Sequence, residues 1–171
     1  MILEGFEGEH MDMLVSLLTT TEGRIGRKQW WTGAVAMIVV ALVLSILLVA
    51  VTGANPTAVA WGSLVITLLM AWPSYALGIK RRHDRDSDGL DLKIMIGISI
   101  LLSLIQALGI GFTMTDIGGG AMMPVPATWL SILNLAYAVY AIYMLVQLGF
   151  LRGTLGSNRF GADPLGQPAL A

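Results

Sequence analysis

Three short polar segments contain most of the side chains that could carry out chemistry or bind a ligand. They are residues 23–31, 80–84 and 153–164, and arginine recurs in each of them. A guanidinium group can donate two parallel hydrogen bonds to a phosphate, so the segments predict a composite anion-binding site. The residues of this candidate site are Arg24, Arg27, Arg81, His83, Asp84, Asn158 and Arg159. The alternative is a structural role, in which the arginines fix the topology and form ion pairs with Asp84 and Asp163.

His83 and Asp84 also invite an enzymatic interpretation, with the imidazole as a general base. However, a His and an Asp that are adjacent in sequence rarely orient each other, and no Ser or Cys nucleophile is indicated beside them. We therefore predict no catalytic residues and a non-enzymatic protein.

The segment that follows His83 matches the first half of an EF-hand calcium loop. The matching residues are Asp84, Asp86, Asp88 and Gly89. The position of the bidentate Glu is Met95, and Arg82 and Arg85 stand among the acids as nearer partners. We therefore predict a solvated, salt-bridged loop, with no metal site and no cofactor.

Two long stretches almost without charge flank these polar segments. No charged residue occurs between Gln29 and Ile79, and only Asp116 occurs between Ile94 and Leu151. About 20 apolar residues cross a bilayer as a helix, so each stretch predicts a helical hairpin. The fold class is therefore an all-α integral membrane protein with four transmembrane helices as two hairpins. The predicted spans are Thr32–Gly53, Ala58–Ile79, Leu92–Phe112 and Thr128–Leu151, with a Gly- and Pro-rich loop before the last one.

The basic residues predict the orientation of these spans. All ten Lys and Arg lie before span one, between or beside spans two and three, or after span four. The positive-inside rule then places both termini and the central loop in the cytoplasm. The three polar segments meet on that face, where anionic lipid head groups are a source of phosphate. We expect Asp84 to contact an arginine of another segment: Arg24, Arg27 or Arg159.

The first twenty residues predict a separate amphipathic helix. Its apolar positions at helical spacing are Leu3, Phe6, His10, Met13, Leu14 and Leu17. Such a helix lies on the membrane surface or docks a protein partner. The predicted organisation is therefore a surface or docking helix at 1–22, a four-helix membrane domain at 23–152 and a cytoplasmic polar tail at 153–171.

Span three carries a ridge of small residues that lets two helices approach closely. The ridge consists of Ser99, Ser103, Ala107 and Gly111. Gln106 and Asn134 both lie about 9 Å from the outer ends of their spans, at 1.5 Å per residue. We expect them to hydrogen-bond to each other or to line a small polar pocket.

The composition narrows the class of function. A net charge of −1 argues against nucleic-acid binding, and the lack of cysteine excludes disulfides and thiolate metal sites. No ionisable residue lies in a span core, where pumps and proton-coupled carriers usually place one. We predict an accessory or scaffold subunit that packs against other membrane proteins and anionic lipids. The alternative is a small transporter or channel subunit.

The three polar segments together resemble a bacterial inner-membrane family of unknown function, number 805, the YhaH-like proteins. The family patterns are Gly-Arg-x-x-Arg-x-x-(Tyr/Trp)-Trp, Arg-Arg-x-His-Asp and Gly-x-x-Gly-x-Asn-Arg-(Phe/Tyr)-Gly-x-Asp-Pro. They match here at residues 23–31, 80–84 and 153–164, except that Lys80 replaces the first Arg of the second pattern. The residues after Asp84 also depart from the family, and the acidic N-terminus resembles an extension. The resemblance implies an inner-membrane location, a fold and a topology, but no reaction.

Overall fold

A computed structural model describes residues 2–116, 118–120 and 122–166 of the chain, with side chains from residue 11 onwards. It is mostly helical, and four of its helices are long and apolar enough to cross a membrane. That part of the prediction is confirmed. The helices are α1 Ile2–Thr19, α2 Arg27–Thr52, α3 Pro56–His83, α4 Leu90–Ala107 and α5 Thr128–Leu145, which a π-helix continues at Val146–Phe150.

The helices α2 and α3 form a hairpin with a three-residue connection. Gly53 ends α2 in the left-handed conformation, at φ 60°. Asn55 then caps α3 by accepting a hydrogen bond from the Ala58 N–H at 3.0 Å, and Pro56 occupies the first helical position. The far end of α3 extends beyond the predicted boundary at Ile79. Its last turn therefore contains the basic residues, where cations are favoured by the helix dipole.

The helix α4 is shorter than the predicted span, and a β-hairpin replaces the predicted irregular loop. Gly109 and Gly111 have φ of 67° and 77°, which ends the helix before the strands begin. The strands β1 (Phe112–Asp116) and β2 (Met122–Pro126) pair antiparallel, with Phe112 opposite Pro126 and Asp116 opposite Met122. The two prolines of β2 are tolerated because a two-stranded ribbon has only edges.

The predicted small-residue ridge is thus broken at its end. Ser103 Oγ lies 3.3 Å from Thr67 Oγ1 of α3, and Ala107 is buried. Ser99 Oγ donates to the Ile96 carbonyl of its own helix. Gly111, however, lies outside α4, where a Cβ atom would collide with Trp129. Its role is a close approach to an aromatic ring, not helix–helix packing.

The α3 helix is the centre of the fold, since α1, α2, α4 and the π-helix all pack against it. The main apolar core lies where the basic segments meet. Its buried members are Leu17, Ile25, Trp30, Leu77, Ile79, Leu92, Met144 and Leu148. We call this end of the bundle the basic end (residues 23–28, 80–93 and 151–166) and the other the hairpin end (residues 53–56 and 109–127).

The N-terminal helix α1 packs against this core and against α3. Leu17 is buried, Met13 and Leu14 are partly buried, and Met11 and Val15 are exposed. The side chains of the other predicted apolar positions, Leu3, Phe6 and His10, lie outside the described part, as do residues 167–171 of the predicted tail.

Candidate functional site

Asp84 lies at the centre of the basic end, between two arginines. Arg24 Nη2 and Nε lie 3.0 and 3.2 Å from its Oδ1, and Arg81 pairs with its Oδ2. The side chains are only 1%, 0% and 5% exposed for Arg24, Arg81 and Asp84. Burial makes each charge depend on its partner, because an uncompensated ion inside a protein costs on the order of several kcal/mol. The expected contact between Asp84 and an arginine of another segment is therefore present, with Arg24.

Arg24 also holds the C-terminal segment. Its Nη1 donates to the carbonyls of Gly156 at 2.7 Å and Gly161 at 3.2 Å, and its Nη2 donates to Thr154 O at 2.8 Å. A guanidinium has five N–H donors, and the contacts to Asp84 use the others. The donors of Arg24 are thus directed at protein oxygens, as in the structural alternative.

The C-terminal segment also donates hydrogen bonds to the backbone around Asp84. Thr154 N donates to the Asp84 carbonyl at 2.8 Å, and Asn158 Nδ2 donates to the His83 carbonyl at 2.9 Å. Gly153 lies so close that a Cβ atom there would collide with the Asp84 carboxylate. A glycine is needed at position 153 because the Asp84 carboxylate approaches its Cα closely, and not because the backbone has a positive φ there.

His83 and Asp84 have separate partners. His83 Nδ1 lies 3.2 Å from the Gly23 carbonyl, and its ring stacks on Phe160 at 3.9 Å with a 6° interplanar angle. The imidazole thus packs the C-terminal segment onto the loop, and Asp84 does not orient it.

Arg81 also caps the end of the fourth membrane-length helix. Its Nε donates to the Leu148 carbonyl at 2.8 Å, and its Nη2 donates to the Leu151 carbonyl. The last carbonyls of any helix lack partners within the helix, and a cation there also complements the helix dipole. Arg81 therefore connects the Asp84 ion pairs to the π-helix.

Two residues from the start of α2 complete this set of caps. Trp31 Nε1 donates to the Gly149 carbonyl and Arg27 Nη1 to the Phe150 carbonyl, each at 3.2 Å. We call Arg27, Trp31 and Arg81 the collar. The first two sequence motifs therefore supply side chains that satisfy the backbone where the fourth helix ends.

A second polar group lies beside the collar. Arg82 pairs with Asp91 at 2.8 Å and donates from Nη1 to Gln147 Oε1 at 3.2 Å. Arg85 Nη1 donates to the same Gln147 oxygen. We call Arg82, Arg85 and Gln147 the Gln147 fork. Burial, and then the charge of Arg82, lower the pKa of Arg85.

Two members of the predicted site lie away from Asp84. Arg159, whose side chain is 53% exposed, pairs with Asp86 at 3.1 Å and Asp88 at 2.9 Å. Arg27 is exposed and belongs to the collar. The structure thus brings together Arg24, Arg81, His83, Asp84 and Asn158. Among the described residues, no three His, Cys, Asp or Glu side chains converge as a metal site requires.

Lys80, the departure from the family pattern, links α1 to the bundle. It is buried, and its Nζ donates to the Ser16 carbonyl at 2.7 Å and to Thr20 Oγ1 at 3.2 Å. Ser16 lies in the last turn of α1, so the amine caps the C-terminus of that helix.

Cavities lie at both ends of the bundle. The one between Asp84, Gly153 and Asp163 has a volume of about 10 Å³, room for about one water molecule. A second, of about 210 Å³, lies between α1 and α3 beside Lys80. A third, of about 350 Å³, lies at the hairpin end, and Ser63 and Gln106 are among its lining residues. No hydrogen bond joins Gln106 to Asn134 in the described structure, so that alternative of the prediction is wrong. Gln106 lines this cavity as the other alternative expected, but Asn134 is not among its lining residues.

The part of the chain that resembles known proteins contains nearly all of the candidate site. A sequence profile of a family described as protein of unknown function, DUF805, matches residues 18–162, which include the first two polar segments, all but the last two residues of the third, and little of α1. The uncharacterized protein YiiR of Escherichia coli strain K12 is 28% identical over 146 residues, covering 85% of this chain and 86% of that protein. YiiR of Escherichia coli O157:H7 matches equally well. No solved structure matches the chain.

Proposed function

The chain belongs to the DUF805 family of proteins of unknown function, and on that premise we propose that it is a non-enzymatic accessory or scaffold subunit of the bacterial inner membrane. It packs against other membrane proteins and anionic lipids. The basic end faces the cytoplasm, with both termini on that side. The one-sided distribution of Lys and Arg supports this orientation.

The observation that carries the proposal is the internal use of the Arg24 and Arg81 donors around Asp84. Both arginines donate to Asp84 and to carbonyl oxygens, and the cavity beside Asp84 has room for about one water molecule. Arg24 also lines the cavity of about 210 Å³ beside Lys80, but its nitrogens already donate to protein oxygens. A ligand-binding or catalytic site would leave donors directed at an open cavity. An end built in this way presents a fixed surface, which suits a docking platform.

The membrane-length helices offer a second surface for packing. The α2 helix contacts α3 on one side, while residues such as Ile38, Leu42 and Ile46 are exposed along the rest of it. Lipid or a neighbouring membrane protein covers this apolar side, and the proposal assigns part of it to a partner protein.

Cross-linking in intact membranes followed by purification tests the accessory role. A photoreactive side chain at exposed Leu42 should yield one discrete protein adduct, and the same protein should co-purify in mild detergent at a fixed ratio. The control is the same side chain at buried Leu130. Only lipid adducts at Leu42, with no protein at fixed ratio, would contradict the accessory role.

Reporter fusions test the orientation separately. We expect periplasmic signals for fusions at Asn55 and Gly119, and cytoplasmic signals at Asp88 and at Gln167, which lies outside the described residues. A cytoplasmic signal at Gly119 would contradict the four-span topology.

A transporter or channel subunit is the second candidate, and the hairpin-end cavity favours it. This cavity of about 350 Å³ contains the polar side chains of Ser63 and Gln106. Solute flux into liposomes that is lost in Gln106→Leu and kept in Leu101→Ala would support this candidate over the accessory role.

A further inference from the structure

The Gln147 fork brings two positive groups onto one neutral oxygen. Arg82 Nη1 and Arg85 Nη1 both donate to Gln147 Oε1, and Arg85 also approaches the Gln147 carbonyl at 3.4 Å. An amide oxygen carries only a partial charge, so it balances neither guanidinium fully. The arrangement thus gathers positive charge without an equal negative charge.

The neighbouring carboxylates do not restore the balance. Asp91 pairs with Arg82 at 2.8 Å, while Asp84 is engaged by Arg24 and Arg81. Within the described part of the chain, no carboxylate lies within ion-pair distance of Arg85. The fork and Asp91 together therefore carry a net positive charge.

Some N–H donors of the fork also have no protein acceptor within the described part of the chain. Arg82 is 9% exposed, yet its buried Nε has no hydrogen-bond partner among the described atoms. Arg85 uses only Nη1, so its Nε and Nη2 have no partner in the same part of the structure. Buried polar groups are nearly always paired, so the buried Nε of Arg82 indicates a missing acceptor. Arg85 is partly exposed, so its remaining donors are accessible to a ligand from outside.

We propose that the Gln147 fork is a binding site for a phosphate group, with Arg85 as its main donor. A phosphate offers several anionic oxygens and accepts bidentate hydrogen bonds from guanidinium groups. It would satisfy the free donors and the excess charge at once. The phosphate comes from an anionic phospholipid head group or from free phosphate.

The surroundings favour the lipid head group. Tyr143, one helical turn before Gln147, is 45% exposed and stacks on Tyr140, whose hydroxyl donates to the Asp91 carbonyl at 2.8 Å. Tyrosines with an apolar body and a polar tip concentrate at the level of lipid head groups. This step rests on the membrane placement proposed above, but it requires no partner protein.

The site differs from the one that the sequence predicted. The donors of Arg24 and Arg81 are used internally, and Arg159 is paired with Asp86 and Asp88. Arg85, which that prediction did not include, keeps donors available.

Lipid retention by the purified full-length chain tests the proposal. Native mass spectrometry in mild detergent would follow titrations with phosphatidylglycerol, phosphatidylcholine and inorganic phosphate. We expect Arg85→Gln to weaken phosphatidylglycerol binding about tenfold, the loss of one or two charge-assisted hydrogen bonds. The matched control is Lys93→Gln, which removes the same charge from an exposed residue two positions after Asp91, with an expected change of about twofold or less.

Two further measurements identify the source of the phosphate and keep the test valid if one variant fails to fold. Arg85→Lys keeps the charge but loses the forked geometry, so it should bind at an intermediate level, and it carries the test if Arg85→Gln fails to fold. Competition by millimolar inorganic phosphate would assign the site to a free phosphate, and its failure would assign it to the lipid. Equal losses in the Arg85 and Lys93 variants, or unchanged binding in both, would overturn the site. Co-purification from the same cells tests the accessory role independently.

Discussion

The two ends of the helical bundle are held together by different interactions. At the basic end, the buried ion pairs of Asp84 with Arg24 and Arg81, the collar and the main apolar core converge within a few turns. At the hairpin end, the connections are an Asn55 cap, a backbone hydrogen bond from Ala127 to Gly111 and a two-stranded hairpin beside a cavity of about 350 Å³. Directional polar contacts that specify one conformation are therefore concentrated at the basic end.

The glycines show the same difference. At the basic end, Gly153 is required because the Asp84 carboxylate occupies the space of a Cβ atom. At the hairpin end, Gly111 likewise leaves room for Trp129, but Gly118, Gly119 and Gly120 have positive φ and open space around them, so these three serve only the turn. Sequence changes at the basic end should therefore cost more, and they should propagate further along the chain.

The largest expected effect is that of Asp84→Asn. The substitution leaves Arg24 and Arg81 buried without a carboxylate, and breaking a buried ion pair in this way costs about 3–5 kcal/mol. Thermal and denaturant unfolding in detergent should show that loss. The control is Asp86→Asn, because its partner Arg159 is exposed and such pairs contribute about 0–1 kcal/mol. Equal, negligible effects of both changes would mean that the two ends do not differ as described.

Gly153→Ala should have the next largest effect. The added Cβ must displace the Asp84 carboxylate or the C-terminal segment, and overpacking of this kind costs up to about 3 kcal/mol. The same substitution at Gly97 in α4, where a Cβ meets nothing within 4 Å, should leave the unfolding temperature unchanged or slightly raised. A harmless Gly153→Ala would show that the C-terminal segment adapts freely.

A substitution near the hairpin end should cost less. Ala107→Leu adds volume at a buried position at the end of α4, and we expect a loss of about 1–2 kcal/mol in the free energy of unfolding, with lower yield of folded protein. Leu101→Ala, at an exposed position of the same helix, should change neither. A larger loss for Ala107→Leu than for Asp84→Asn would reverse the comparison between the two ends.

The sequence predicted the long helices well because uncharged runs of that length have few alternatives. It also predicted that Asp84 meets an arginine of another segment, since all three polar segments leave the helices at one end. It failed for the β-hairpin, where Pro124 and Pro126 argue against a strand while Gly118 and Gly119 indicate only a turn. Pairing of such short strands depends on the helices that hold their ends together.

Other parts of the site could not be read from the sequence at all. The π-helix depends on which carbonyls find donors from α2 and α3, so Trp31 and Gln147 acquire their roles only through tertiary contacts. The same is true of Lys80, which looked like a substitution within a motif and instead caps α1. Motif spacing identified the segments, but not which donor meets which acceptor.

The smallest expected effect concerns the last turn of the C-terminal segment, held by Asp163. Its Oδ2 accepts from Gly156 N at 3.1 Å and its Oδ1 from Leu165 N at 2.9 Å. The Leu165 N–H is the main cause that lowers the pKa of Asp163 below its ordinary value. A lowered folded pKa means that the carboxylate stabilises the fold above the unfolded pKa of about 3.9, and that this contribution is lost as the pH falls through the folded value. Asp163→Asn should therefore lower the unfolding temperature slightly at pH 7, and the difference from the unmodified chain should shrink progressively as the pH falls below about 4. A difference in unfolding temperature that stays constant with pH would mean that the negative charge of Asp163 does not stabilise this turn. The stabilising charges of the basic end would then not extend from Arg24 to Asp163.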